Sequence, residues 1–164
     1  MKGKSKKNKF DWKVFVLSLL IVFVILGLGG TIFTSNNTNS EWYYSIKPAI
    51  TPPNFVFPIV WNVLFALIGL SLYFAWMKSK TDKNKKNIVI VFGINFILNI
   101  VWSCLFFGLK ATTWAFVEII IMWLSILAMI LVTRKISKVS SCLLVPYLIW
   151  VAFAAVINGI VVFG

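Results

Sequence analysis

Five long apolar runs constrain this chain more than any other feature. They are Val14–Phe33, Asn54–Met77, Asn87–Gly108, Ala111–Thr133 and Cys142–Phe163. A helix rises 1.5 Å per residue, so about 20 residues cross a bilayer, and each run is long enough to do so once. Backbone polar groups have no water to bond inside the membrane, so each run is expected to be a helix. A β-barrel is excluded, because the runs do not alternate and are about twice too long for barrel strands. Hydrophobic residues make up 60% of the 164-residue chain and charged residues only 12%, which removes soluble, disordered and fibrous classes. The expected fold is an all-α integral membrane protein, a bundle of five transmembrane helices over residues 14–33, 54–77, 87–108, 111–133 and 142–163. Residues 1–164 read as a single domain.

The net charge of +12 then needs a location. Lys2, Lys4, Lys6, Lys7, Lys9 and Lys13 precede the first run. Lys78, Lys80, Lys83, Lys85 and Lys86 lie between runs two and three, and Arg134, Lys135 and Lys138 between runs four and five. These fourteen fall on one side of the membrane, and only Lys47 and Lys110 fall on the other. The positive-inside rule places the N-terminus in the cytoplasm and the C-terminus outside. The basic residues are read as setting topology and touching the lipid bilayer, with no nucleic-acid partner. The first run is too long for a signal-peptide core and lacks an A-x-A-like cleavage site, so it is expected to be retained.

One connection is long. Residues 34–53 lie outside and carry Trp42, Tyr43, Tyr44 and Pro48 before ending in Pro52-Pro53. Aromatics of this kind do not suit a purely solvated linker, and long loops in compact domains are often functional. By contrast, Leu109-Lys110 alone joins runs three and four, which must be antiparallel neighbours.

Polar residues within spans are costly, and here they are Asn62, Asn95, Asn99, Glu118 and Asn158. Asn95, Asn99, Trp102 and Phe106 share one helical face, and Tyr147, Trp150, Ala154 and Asn158 share another. Each asparagine could simply tie helices together. Depth favours more: Trp61, Asn99, Glu118 and Asn158 lie only ~10–15 Å below the outer surface, beneath the long loop. This suggests a pocket with a polar floor, tryptophan walls and the loop as lid. Its ligand would be flat, largely apolar and partly polar. Trp12, Trp76 and Trp114 fit interfacial belts instead. Glu118 should be paired, hydrogen-bonded or protonated. Cys104 and Cys142 lie too far apart in depth for a disulfide. The chain has no histidine, and no paired carboxylates, nucleophile elbow or phosphate loop, so conventional enzymatic machinery has no candidates.

The residues also resemble a known family. The outer loop carries Trp42-Tyr43, Lys47-Pro48 and Pro52-Pro53, followed by Trp61 and Leu64-Phe65. The third run carries Asn95-x-x-x-Asn99-x-x-Trp102 with Phe106-Phe107. The fifth carries Pro146-Tyr147-x-x-Trp150-x-x-Phe153-Ala154-x-x-x-Asn158. This pattern is similar to the TspO/MBR family, the tryptophan-rich sensory proteins related to the translocator protein. The resemblance implies a five-helix bundle, commonly a homodimer, that binds porphyrins and other hydrophobic small molecules beneath the first loop. It implies ligand contacts at Trp42, Tyr43, Trp61, Asn95 or Asn99, Trp150 and Ala154; Pro52 and Asn158 complete the candidate ligand contacts. No cofactor is required; a porphyrin would be a ligand. The implied role is a receptor or sensor in a bacterial plasma membrane, with porphyrin export or light- and oxygen-driven porphyrin degradation as alternatives. The spacing between Trp42-Tyr43 and Lys47-Pro48 is three residues here, where the family usually has four. The cholesterol-recognition motif of animal members is absent.

Overall fold

The computed structural model describes residues 10–35 and 37–164; Lys2, Lys4, Lys6, Lys7 and Lys9 lie outside the described residues. Five helices are long and apolar enough to cross a membrane: α1 (Trp12–Thr34), α3 (Val56–Lys78), α4 (Asp82–Gly108), α5 (Thr112–Arg134) and α6 (Lys138–Phe163). A short helix, α2 (Glu41–Ile46), lies in the outer connection. No strand occurs among the described residues. The all-α expectation therefore holds, and every apolar run is a helix.

Helix ends follow polar caps more closely than apolarity. Asp11 accepts from Lys13 and Val14 backbone N–H groups at 3.0 and 3.2 Å and starts α1 two residues before the apolar run. Thr81 caps α4, which extends the third run by a polar first turn from Asp82. Ser137 caps α6 four residues before the fifth run. Two spans contain a π-helical segment, Phe23–Leu28 in α1 and Cys104–Gly108 in α4. A wide turn of this kind shifts the facing of side chains and is often found at functional sites. The tight turn between α4 and α5 holds Lys110 at φ 54°, the left-handed region.

The helices form a ring in which α1 touches α3, α3 touches the start of α6, α6 touches α5, α5 touches α4, and α4 returns to α1. The α4–α5 pairing agrees with the two-residue link. At the basic end the ring is tightly closed. Ser71 Oγ donates to Ser140 O at 2.9 Å and Ser140 Oγ donates to Ser71 O at 2.7 Å, a reciprocal lock between α3 and α6. Small residues allow such close approach in membranes, where packing and hydrogen bonds hold helices together. Ile68, Ile88, Ile126, Met129 and Leu144 are among the side chains that fill this half.

At the lid end, the ring loosens between α1 and α3. The Trp12–Val22 part of α1 packs along α3, whereas Gly29–Thr34 packs on α4. The outer connection expected as a loop is partly ordered into α2, because Ser40 accepts from the Tyr43 N–H at 3.2 Å and Glu41 occupies the first turn.

Candidate functional site

Asn54 seats the lid. Its Nδ2 donates to Thr38 O and Asn39 Oδ1, both at 3.1 Å, and to Tyr44 Oη at 3.3 Å. Its Oδ1 accepts from Lys47 Nζ at 2.8 Å. Tyr43 is buried on the inner side of α2, 5.8 Å from the Phe107 ring centroid. Burial raises its phenol above the ordinary value near 10, with Tyr44 adding to the rise. Trp42 faces another way, against Phe106 at 5.9 Å and beneath the Lys110 ammonium at 5.3 Å.

Beneath the lid lies a cavity of about 480 Å³, within the range of small-molecule sites. Tyr43 roofs it, and Trp61, Trp102 and Trp150 contribute indole walls. Trp61 packs 6.2 Å from Tyr147 and Trp150 packs 5.9 Å from Phe57, so neighbouring rings fix both orientations. Asn99 and Met122 lie at its deep end, and Ala154 lines the α6 side. The site is therefore an aromatic slot with a few polar groups, suited to a flat ligand held by stacking and apolar burial.

The three asparagines on the predicted faces separate in role. Asn99 Nδ2 donates to Tyr147 Oη at 3.3 Å while its residue also lines the cavity. Asn95 sits one turn deeper and fully buried; it donates to Ser125 Oγ at 2.8 Å and accepts from Tyr147 Oη at 3.2 Å. It braces the floor from below. Asn158 accepts from Trp102 Nε1 at 3.3 Å and donates to Thr112 O at 3.2 Å, and so orients a cavity tryptophan. Of the residues singled out in the sequence, the structure brings Tyr43, Trp61, Asn99, Trp150 and Ala154 to the main cavity. Trp42, Pro52, Asn95 and Asn158 lie off its wall. Asn158 instead lines a second space of about 50 Å³, which shares Tyr43, Trp102 and Ala154 with the main cavity.

The sequence reading overlooked α1. Gly27, Gly30, Thr31 and Thr34 all line the cavity, and their spacing of three, four and seven residues is a small, weakly polar stripe on one helical face. That stripe was the available signal. Trp102 was also underweighted, although it shares a face with Asn95 and Asn99. Glu118 is buried, with neither carboxyl oxygen hydrogen-bonded among the described residues, and does not line the cavity. Cys104 and Cys142 are both free thiols. Among the described residues, no three His, Cys, Asp or Glu side chains converge as metal ligands do.

Comparison with known proteins agrees with this architecture. The TspO/MBR family profile matches residues 18–163. The chain is 36% identical over 150 residues to the tryptophan-rich protein TspO of Chlorobaculum tepidum, covering 89% of this chain and 93% of that one. It is 38% identical over 144 residues to the tryptophan-rich protein TspO of Archaeoglobus fulgidus, covering 87% and 91%. It is 34% identical over 122 residues to the translocator protein of Ovis aries, covering 72% and 71%.

Proposed function

The chain belongs to the TspO/MBR family of membrane proteins, and from that premise we propose that it is a receptor or sensor binding porphyrins and similar flat hydrophobic ligands reversibly beneath the α2 lid. The observation that supports this most is the 480 Å³ cavity with indole walls from three helices: Trp61 of α3, Trp102 of α4 and Trp150 of α6. Tetrapyrroles are wide, flat and apolar in body, which is the shape such walls stack against. The chain contains no histidine, so the ligand would be held by stacking and polar contact without imidazole on a central metal. No cofactor enters this reading; the porphyrin is the ligand. The same proposal takes the N-terminus as cytoplasmic and the C-terminus as outside, in a bacterial plasma membrane. It takes the working unit as a homodimer, as the family resemblance implies.

The test is a titration of the purified protein with protoporphyrin, followed by tryptophan fluorescence. Saturable quenching is expected. Combining Trp61→Phe with Trp150→Phe keeps apolar rings but reduces stacking area, and should weaken binding by about three- to tenfold. Absence of saturation, or an affinity unchanged in the double variant, would overturn the reading.

A further inference from the structure

Side chains that line a closed cavity are hidden from the surface. Here Phe23 and Thr31 of α1, and Pro58 and Asn62 of α3, line the main cavity and are also exposed. All four lie on two helices that separate. The Trp12–Val22 stretch of α1 packs along α3, but Gly29–Thr34 packs on α4. The π-helical turn Phe23–Leu28 stands between these two stretches. A Cβ built on Gly27, within that turn and on the cavity wall, meets nothing within 4 Å. The cavity therefore opens sideways, between α1 and α3.

The rim of that opening is apolar. Leu28 and Ile32 of α1 and Ile59 and Val63 of α3 are each more than half exposed, and on spanning helices such side chains face lipid tails. Asn62 lies six residues into α3, ~9 Å below its start. Its Nδ2 donates to Pro58 O at 2.8 Å within the same helix, which reduces the cost of an amide facing lipid. The lid, by contrast, is bonded down. Asn54 bonds Thr38, Asn39, Tyr44 and Lys47, and Tyr43 is buried against Phe107. Lifting the lid breaks those bonds, whereas passing the gap displaces lipid tails alone.

We infer that the α1–α3 gap is a lateral portal, through which the cavity takes flat apolar molecules already dissolved in the lid-side leaflet while the lid stays seated. This rests on the reading of the cavity as a site for hydrophobic ligands and adds the route by which they reach it. Apolar molecules leave water for hydrocarbon, so a portal at this depth meets them where they are concentrated.

The experiment traps molecules that reach the cavity and needs no porphyrin. Ser103→Cys puts a thiol on the α4 wall of the cavity, in a background where Cys104 and Cys142 are alanine. N-(1-pyrenyl)maleimide dissolves in the bilayer and adds to that thiol, and its fluorescence gives the reaction rate in proteoliposomes. A separate Ile94→Cys protein, with its thiol on the exposed face of α4, supplies the reference rate for reagent in lipid. Thr31→Phe combined with Asn62→Phe fills the mouth from both sides and should lower the trapping rate about tenfold against that reference. Gly27→Leu, whose Cβ displaces no neighbour, should lower it in the same direction and repeats the test if the double variant unfolds. Tyr44→Phe combined with Lys47→Met removes two of the bonds that Asn54 makes and should leave the rate unchanged. A trapping rate that the mouth variants do not lower would overturn the portal. So would a rate raised several-fold by loosening the lid, since the route would then be the lid. Protoporphyrin titration is read separately: no saturation, together with a trapping rate that the mouth variants lower, would defeat the porphyrin reading and leave the portal standing.

Discussion

Asn99 lines the cavity, Asn95 braces its floor through Ser125 and Tyr147, and Asn158 orients Trp102. The i, i+4 spacing of Asn95 and Asn99 already put them on one face. What it could not state is where that face meets Tyr147, which lies 52 and 48 residues away and bonds both. Long-range packing therefore decides that Asn99 reaches the cavity and Asn95 braces it. Asn95→Leu should lower thermal stability by about 1–2 kcal/mol through loss of the Ser125 and Tyr147 bonds, and change porphyrin affinity less than Asn99→Leu does. Thermal unfolding and titration of both variants would check this; equal effects on affinity would contradict the division of roles. Tyr43 gives a second prediction at this scale. Its phenol is raised by burial, so the folded lid binds a proton that the unfolded chain releases. The stability it contributes is fully present below pH 10 and is lost as pH rises above that value through the folded-state value. Tyr43→Phe should remove that part of the alkaline loss, measured as the difference between wild-type and variant melting curves from pH 8 to 11. Identical curves would mean that the phenol is not buried under the lid.

At the scale of elements, the spans were legible because a bilayer imposes one length and one polarity on every helix. Their true ends were less legible, since Asp11, Thr81 and Ser137 cap helices outside the apolar runs. The π segments Phe23–Leu28 and Cys104–Gly108 left no readable mark, because a single widened turn does not alter composition. Glycines in spans were likewise ambiguous until neighbours were placed. A Cβ on Gly69 would stand 3.2 Å from Leu19 Cα, so α1 and α3 approach closely there, whereas a Cβ on Gly93 would meet nothing within 4 Å. Gly69→Val should therefore destabilise the bundle by about 1–3 kcal/mol, and Gly93→Val should leave the thermal midpoint nearly unchanged. A similar midpoint for the two variants would contradict the close α1–α3 approach at Leu19 and Gly69.

Taken whole, the molecule is a ring of five spans, closed at its basic end by the Ser71–Ser140 lock and opened at the other into a lidded aromatic cavity. The charge pattern gave the two ends from sequence, and the loop aromatics gave the lid. The contribution of α1 to the cavity was missed because Gly27, Gly30, Thr31 and Thr34 are small, and Phe23 and Leu26 look like any other apolar residue of a span. The orientation is testable with Asn39→Cys at the lid rim in a background where Cys104 and Cys142 are replaced by alanine. A membrane-impermeant maleimide should label it from outside intact cells; labelling only after permeabilisation would reverse the topology. A flat ligand lying between tryptophans beneath α2 would be visible in a structure of the protein with protoporphyrin bound. Ligand density is expected between Trp61 and Trp150, below Tyr43 and above Asn99. Porphyrin density confined to the lipid-facing surface, with the cavity unoccupied, would contradict it.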